Sequence, residues 1–254
     1  CTEMVTAGQE MEIALNVEEL EACMRQNVPE QIAFLASAAK RQRAEIKERD
    51  LSPSEMKLFQ GAKNKEIQSW LSTETVRRIA RNQIPEEQIL RSRWVLTWKP
   101  VDPTTQDPNP QPKAKARLVI LGYEDPQLEA LARDSPTMGK DSRTLILQFA
   151  ASAKWKIRSF DIQTAFLRGS RQDGRILGME PPKEMRSLMN LQPWECCELL
   201  KSAYGLVNAP LLWYEELKNA LLNLQFKMSP LDPCTFVLPK KDGSGIHEIG
   251  RAHV

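Results

Sequence analysis

Histidine is nearly absent. The 254 residues hold two, His247 and His253, both at the far end of the chain. That scarcity argues against a His-dependent triad or a zinc centre. Long hydrophobic runs are missing as well: none approaches eighteen residues, and no charged-then-apolar leader opens the chain. Neither a membrane span nor a secretion signal is therefore expected. Net charge is small, 35 Lys+Arg against 33 Asp+Glu leaving +2, so the chain is no histone-like polycation and any nucleic-acid role must rest on local clustering. Glycine is outnumbered, 11 against 17 prolines, which favours punctuated helices and loops over a Gly-rich barrel. No P-loop, GxGxxG, CxxC pair or HExxH occurs. The five cysteines are odd in number, and Cys196 and Cys197 are adjacent, too close for an ordinary bridge. They read as reduced thiols of an intracellular protein.

What is there is enough to fold. Hydrophobic residues make up 41%, which excludes a wholly disordered chain. The length fits one large domain or two small ones, and a start at Cys1 suggests a piece of something longer. Residues 1–35 carry seven glutamates against Arg25 alone, whereas Lys40, Arg41, Arg43, Lys47 and Arg49 begin a basic stretch. Arg77, Arg78, Arg81, Arg91, Arg93 and Lys99 form a second basic cluster.

Good helix formers dominate from Pro29 to Asp50. Ser52-Pro53-Ser54-Glu55 then combines an N-cap Ser, a Pro at the first helical position and a capping-box Glu. Met56, Phe59, Ile67, Trp70 and Leu71 follow at helical spacing, so one face seeks a core. After that the period changes. Trp94, Leu96 and Trp98 alternate, and Leu118 and Ile120 alternate against Arg117, Val119 and Leu121. Between them Pro100 to Pro112 holds five prolines, so a hairpin with an extended tip is expected. Helices are expected near Asp125–Arg133 and from an N-cap at Asp141 through Leu145, Ile146, Phe149 and Ala150. Lys156–Phe160 reads as a strand ending at Asp161. Asn208-Ala209-Pro210 introduces a helix striped by Tyr214, Leu217, Leu221 and Leu224. Cys234–Leu238 reads as a strand leading to a turn at Lys240–Gly243. Helices and hairpins without a regular βαβ repeat predict an α+β fold.

Three groups of residues could carry chemistry. Asp161, at a strand end before Thr164-Ala165-Phe166-Leu167 and Gly169, can point into a cleft; its ordinary alternative is a turn or helix-cap aspartate. Lys113, Lys115 and Arg117 share one face of a strand and suit phosphate oxygens; the alternative is a solvated edge guarded by charge. Tyr204-Gly205, followed by Asn208-Ala209-Pro210 opening a helix, sets an aromatic residue beside a glycine and a positive helix end. A plain helix-entry turn would look the same.

Taken in order, Arg93-Trp94-Val95, Lys115-Ala116-Arg117-Leu118-Val119, Ser159 to Gly169, Leu200 to Pro210, Trp213-Tyr214 and Asp232-Pro233-Cys234 resemble the reverse transcriptase of copia-type LTR retrotransposons. The resemblance covers roughly Ser54 to Val237. It implies the fingers and partial palm of a right-hand polymerase over 51–247, behind a helical or linker segment 1–50. The implied reaction transfers dNTPs to a primer 3′-hydroxyl on an RNA or DNA template with two Mg²⁺ ions. The implied partners are the rest of the polyprotein, integrase and RNase H among it, with no membrane. Asp161 matches the first metal-binding carboxylate, with the Ile162 carbonyl beside it, and Phe166 the ring that blocks a ribose 2′-hydroxyl. Arg117, Lys115 and Lys99 match the cations that grip the triphosphate. Tyr204 and Gly205 match the residues that touch sugar and base, and Pro210 a template-side turn.

One departure matters: the family's adjacent aspartate pair does not follow Asp232-Pro233-Cys234 before the sequence ends. One carboxylate cannot hold two mutually repelling ions, so the chain as it stands is expected to be inactive. The last residues, Glu248–Val254, look poor in strand formers. One reverse translation of them, GAG ATC GGA AGA GCA CAC GTC, contains the start of a common sequencing adapter, so they are expected to be translated adapter. Two other readings remain open: a non-catalytic helical module binding RNA or protein through Lys40 to Arg93, and a domesticated polymerase remnant.

Overall fold

The structure, a computed structural model, describes residues 45–99, 112–157, 162–170 and 174–240, and the backbone of 246–251. The expected helix over Pro29–Asp50 falls mostly outside the described residues, as do Cys1, Cys23, Asp161 and the turn after Lys240. Two compact units divide the chain, one of residues 1–56 and 96–114, the other of 57–95 and 115–254.

In the first unit the described lead-in is not α-helical to Asp50; Glu48–Asp50 is a single 3₁₀ turn. The helix start after it is as the sequence predicts. The Ser52 N–H donates to Glu55 Oε2 at 2.9 Å, and the Glu55 N–H donates to Ser52 Oγ at 3.4 Å. This reciprocal pair closes two donors that a helix start otherwise leaves bare. Helix α1 runs Pro53–Ser72. Met56, expected in the core stripe, is exposed.

In the second unit α1 buries Phe59, Lys63, Ile67 and Trp70, one row at helical spacing. Lys63 in that row is a charge among apolar neighbours, and its partner explains it. Its ammonium donates to Glu184 Oε1 at 2.6 Å and lies 5.5 Å from the Trp94 ring centre. Trp94 Nε1–H donates to the same carboxylate at 3.2 Å. Burial alone would raise the Glu184 carboxyl, but the Lys63, backbone and Trp94 hydrogen bonds hold it below the usual range. Among the described residues the strands of this unit are short. Strands β1 (Val76–Ala80), β2 (Ile89–Leu90), β5 (Gly178–Met179) and β6 (Glu195–Leu199) form a sheet in the order β1-β6-β5-β2. β6 is antiparallel to β1 and β5, and β2 is parallel to β5. Strands β3 (Ser92–Lys99) and β4 (Lys113–Ile120) pair with each other, and the tip expected between them lies largely outside the described residues. Ile67, Trp70, Leu118, Ile120, Met179, Leu199 and Tyr204 belong to one core. Cys196 and Cys197, side by side in β6, are buried free thiols, as is Cys234. Burial pushes the Cys197 thiol up to about 12.

The helix expected near Asp125–Arg133 does not form. Only 3₁₀ turns at Gly122–Glu124 and Leu128–Ala130 are present. The reason lies fifty residues away: Arg175 holds the Asp125 carboxylate with two hydrogen bonds of 2.7 Å, while Asp125 Oδ1 also accepts the Gln127 N–H. That side chain fixes a turn instead of capping a helix. Helix α2 spans Lys140–Ser152 with Gly139 at its N-cap, not Asp141. Here Asp232 acts from a distance, its Oδ2 accepting the Gly139 N–H at 2.8 Å. Of the apolar positions on α2, Leu145 and Phe149 are exposed and Ala150 alone is fully buried.

Helix α3 is short, Lys183–Leu188, and α4 spans Ala209–Asn223 as its stripe predicts. Leu224 is the exception: it follows the helix and is exposed. Strands β7 (Lys227–Met228), β8 (Thr235–Pro239) and β9 (Ile246–Arg251) form an antiparallel sheet. The expectation of a strand-poor tail from Glu248 is thus corrected over 248–251, residues 252–254 lying outside the described residues. Backbone pairing with β8 from Thr235↔Arg251 to Leu238↔Glu248 overrides weak local propensity.

Candidate functional site

Alternation in β4 settles which way its cations face. Ala116, Leu118 and Ile120 are buried, while Lys113 and Lys115 are exposed and Arg117 is half-buried on the opposite side. The outward row is therefore the one that the spacing predicts. Glu66 of α1 reaches the same strand, accepting the Leu118 N–H and the Trp70 Nε1–H, each at 3.3 Å. Burial pushes its carboxyl up, against those hydrogen bonds and the nearby charges of Arg117 and Lys115. Nothing in the sequence pattern singled Glu66 out.

Tyr204 arrives from the loop before α4. Its carbonyl accepts the Ile120 N–H at 2.7 Å, which stitches the loop to the end of β4. Gly205 has φ +93°, and any Cβ there would press on the Ile120 carbonyl and stand 2.5 Å from Val119 Cγ1. Only glycine meets both demands. The Arg117 guanidinium lies over the Tyr204 ring, 4.3 Å from its centre, an attraction worth about 0.5–2 kcal/mol depending on exposure. Phe166 sits on the 3₁₀ turn Ala165–Leu167, after Thr164 in the left-handed conformation at φ 55°. Its ring meets Tyr204 edge to face, centres 5.6 Å apart and planes at 87°. Residues 117, 166 and 204, picked out separately from the sequence, form one cluster.

The other expected site residues fall elsewhere or outside view. Asp161 lies outside the described residues, and Ile162, next to it, is exposed. Lys99 is an exposed residue ending β3 in the first unit. Pro210 occupies the first turn of α4, its carbonyl accepting the Ser135 hydroxyl at 3.3 Å. A groove of about 650 Å³ runs beside α2, lined by Lys140, Ser142, Leu145 and Asp232 among others. None of the three clustered side chains lines it, and its buried carboxylate is already committed. Asp232 accepts from the Gly139 and Cys234 N–H groups, both at 2.8 Å, and the Tyr214 hydroxyl donates to the Pro233 carbonyl at 2.9 Å. Asp232-Pro233-Cys234 is thus a structural joint between α2, α4 and β8, legible in part as an Asx turn.

The second basic cluster is largely spoken for. Arg77, Arg78, Arg81 and Arg91 form ion pairs with Glu198, Glu195, Glu180 and Glu124 respectively. A module reading nucleic acid through that stretch would need those cations for phosphate.

The resemblance implies a divalent cation, and the donor set can be tested against it. Among the described residues no group of three His, Cys, Asp or Glu side chains is gathered that could hold a metal ion. Asp161 is one carboxylate, and no adjacent aspartate pair occurs anywhere in the 254 residues. Hard cations of this kind need several oxygen ligands. Among the described residues no such set of oxygen ligands is gathered.

Comparison with known proteins adds the lineage. The family described as reverse transcriptase (RNA-dependent DNA polymerase) matches residues 80–249. The retrovirus-related Pol polyprotein from transposon RE1 of Arabidopsis thaliana is 33% identical over 153 residues, 60% of this chain and 10% of the polyprotein. That from transposon RE2 of the same plant is 32% identical over 157 residues, 61% of this chain and 10% of its own length. That from transposon TNT 1-94 of Nicotiana tabacum is 32% identical over 127 residues, 48% of this chain and 9% of the polyprotein. The chain matches about a tenth of the length of these relatives. No solved structure matches it. With two-thirds of its length inside the family and copia-type polyproteins as relatives, the chain belongs to the reverse transcriptase family, as a copia-type retrotransposon Pol fragment.

Proposed function

We propose that residues 51–247 are the fingers and partial palm of an RNA-directed DNA polymerase, joining dNTPs to a primer 3′-hydroxyl on an RNA or DNA template. The observation that carries this reading is the meeting of Arg117, Tyr204 and Phe166. A guanidinium neutralises phosphate oxygens through paired hydrogen bonds. Here it stands beside an aromatic pair that can close off the space a ribose 2′-hydroxyl would need. Arg117, with Lys115, grips the triphosphate, and Phe166 excludes the ribonucleotide. Tyr204 and Gly205 line the sugar and base, Pro210 lies on the template side, and residues 1–50 lead into this body. Asp161, with the Ile162 carbonyl, is the chain's contribution to a Mg²⁺ site whose other carboxylates lie elsewhere in a Pol polyprotein. The 254 residues by themselves are therefore inactive.

Primer extension by a Pol polyprotein containing these residues tests the reading. Asp161→Asn should slow extension by more than about 100-fold, since even residues one shell beyond a metal are worth about 10–100-fold. Near-normal extension removes Asp161 from the metal site. A binding measurement addresses the cations separately. Lys115→Ala with Arg117→Ala should flatten the dependence of log affinity for a primer–template on log salt, by about 1 for each phosphate that is no longer neutralised. An unchanged slope makes the two residues a solvated strand face.

A further inference from the structure

Tyr204 has one ring and two neighbours of different chemistry. The Arg117 guanidinium covers its face at 4.3 Å, and Phe166 meets it at 5.6 Å with planes near perpendicular. Tyr204 is only 9% exposed, so both contacts of its ring are largely shielded from solvent. Its main chain cannot drift, because the Ile120 N–H holds its carbonyl and Gly205 packs against the same strand without room for a side chain. β4 therefore carries the cation and also fixes the residue beneath it. Phe166 comes from a different element, the turn Ala165–Leu167, and touches that fixed ring.

We propose that Tyr204 is a positioning residue whose ring holds the Arg117 guanidinium and the Phe166 ring in one relation, so that grip on the triphosphate and rejection of the 2′-hydroxyl form a single coupled property. The proposal rests on the nucleotide-binding reading given above. Its physical basis is the ring quadrupole. The negative face attracts a planar cation and limits its freedom, and the same charge distribution favours an edge-to-face partner over a slack one. Drawing the guanidinium toward phosphate tilts the ring it rests on, and that ring bears on Phe166. An aliphatic side chain of similar bulk fills the space but holds neither neighbour.

The test is a double-mutant cycle read in two ways. Equilibrium affinities for dATP and ATP are measured on the chain bound to a primer–template, for Arg117→Lys, Phe166→Leu and the pair. With Tyr204 present, the changes in the dATP-to-ATP ratio should be non-additive by about threefold or more, as expected for residues sharing a partner. In a Tyr204→Leu background they should become additive, and Tyr204→Phe should restore the coupling. Additivity with Tyr204 in place overturns the proposal, and this arm suffices if Tyr204→Leu does not fold. Coupling that survives Tyr204→Leu overturns it too. The second readout is the NMR resonance of the Arg117 side-chain Nε–H, displaced by the ring beneath it in the wild type and in Tyr204→Phe but not in Tyr204→Leu. If the wild type has no affinity for dATP, the nucleotide-binding reading falls, and the proposed coupling with it. The NMR arm then judges only whether the ring holds Arg117, and an Arg117 resonance unmoved by Tyr204→Leu denies even that.

Discussion

Gly205→Ala is expected to leave little or no folded protein. The backbone there sits at φ +93°, and a methyl group would run into the Ile120 carbonyl, with Val119 Cγ1 and the Ile120 carbonyl carbon also within 3.0 Å. Backbone atoms of a strand cannot step aside as a flexible side chain can. Relief would mean opening the 2.7 Å bond from the Ile120 N–H to the Tyr204 carbonyl. A left-handed backbone costs an L-residue about 1–2 kcal/mol, and forcing an extra methyl into packed structure about 1–3 kcal/mol. Losing the hydrogen bond adds about 1 kcal/mol. A total of roughly 3–6 kcal/mol is comparable to the whole stability of many domains, about 5–15 kcal/mol. Urea unfolding followed by circular dichroism reads it directly. A midpoint equal to wild type would show that the loop has slack which its packing denies.

Arg175→Met should be nearly as damaging, and instructive in its repair. Arg175 and Asp125 form a two-bond pair with side-chain exposures of 10% and 1%. Removing one partner strands a buried carboxylate, at a cost of about 3–5 kcal/mol. Replacing both by apolar residues, Arg175→Met with Asp125→Leu, avoids the stranded charge. The double variant should regain a good part of the loss, short of the turn bond from the Gln127 N–H to Asp125 Oδ1. Equal destabilisation in the single and double variants would mean that the pair matters for shape and not for charge.

What the sequence made legible was local. The Ser52–Glu55 capping box and the inward and outward alternation of β4 depend on residues two to four apart, and both formed as expected. Structure departs from local expectation where distant side chains take over local tasks. Asp232 caps α2 from 93 residues away, displacing Asp141 from that role. Arg175 converts Asp125 from a helix start to a turn across 50 residues. The cluster of Arg117, Phe166 and Tyr204 shows the same limit from the other side. Resemblance to a family nominated each residue, but no periodicity could have said that the guanidinium would lie on the ring. The roles of Glu66 and the buried Lys63 are not legible in the sequence, because helix spacing marks a face without saying which polar group will find a partner there.

Helix α1 has a bearing on where this protein can be cut. The family match begins at residue 80, yet Ile67 and Trp70 share a core with Leu118, Leu199 and Tyr204, and Lys63 is the partner of Glu184. An excised piece that starts at the edge of recognisable homology would lose one wall of its interior and leave an acid unneutralised. The border of the family match and the border of the packed core therefore differ: a cut between Trp70 and residue 80 keeps every residue of the match but removes part of the interior.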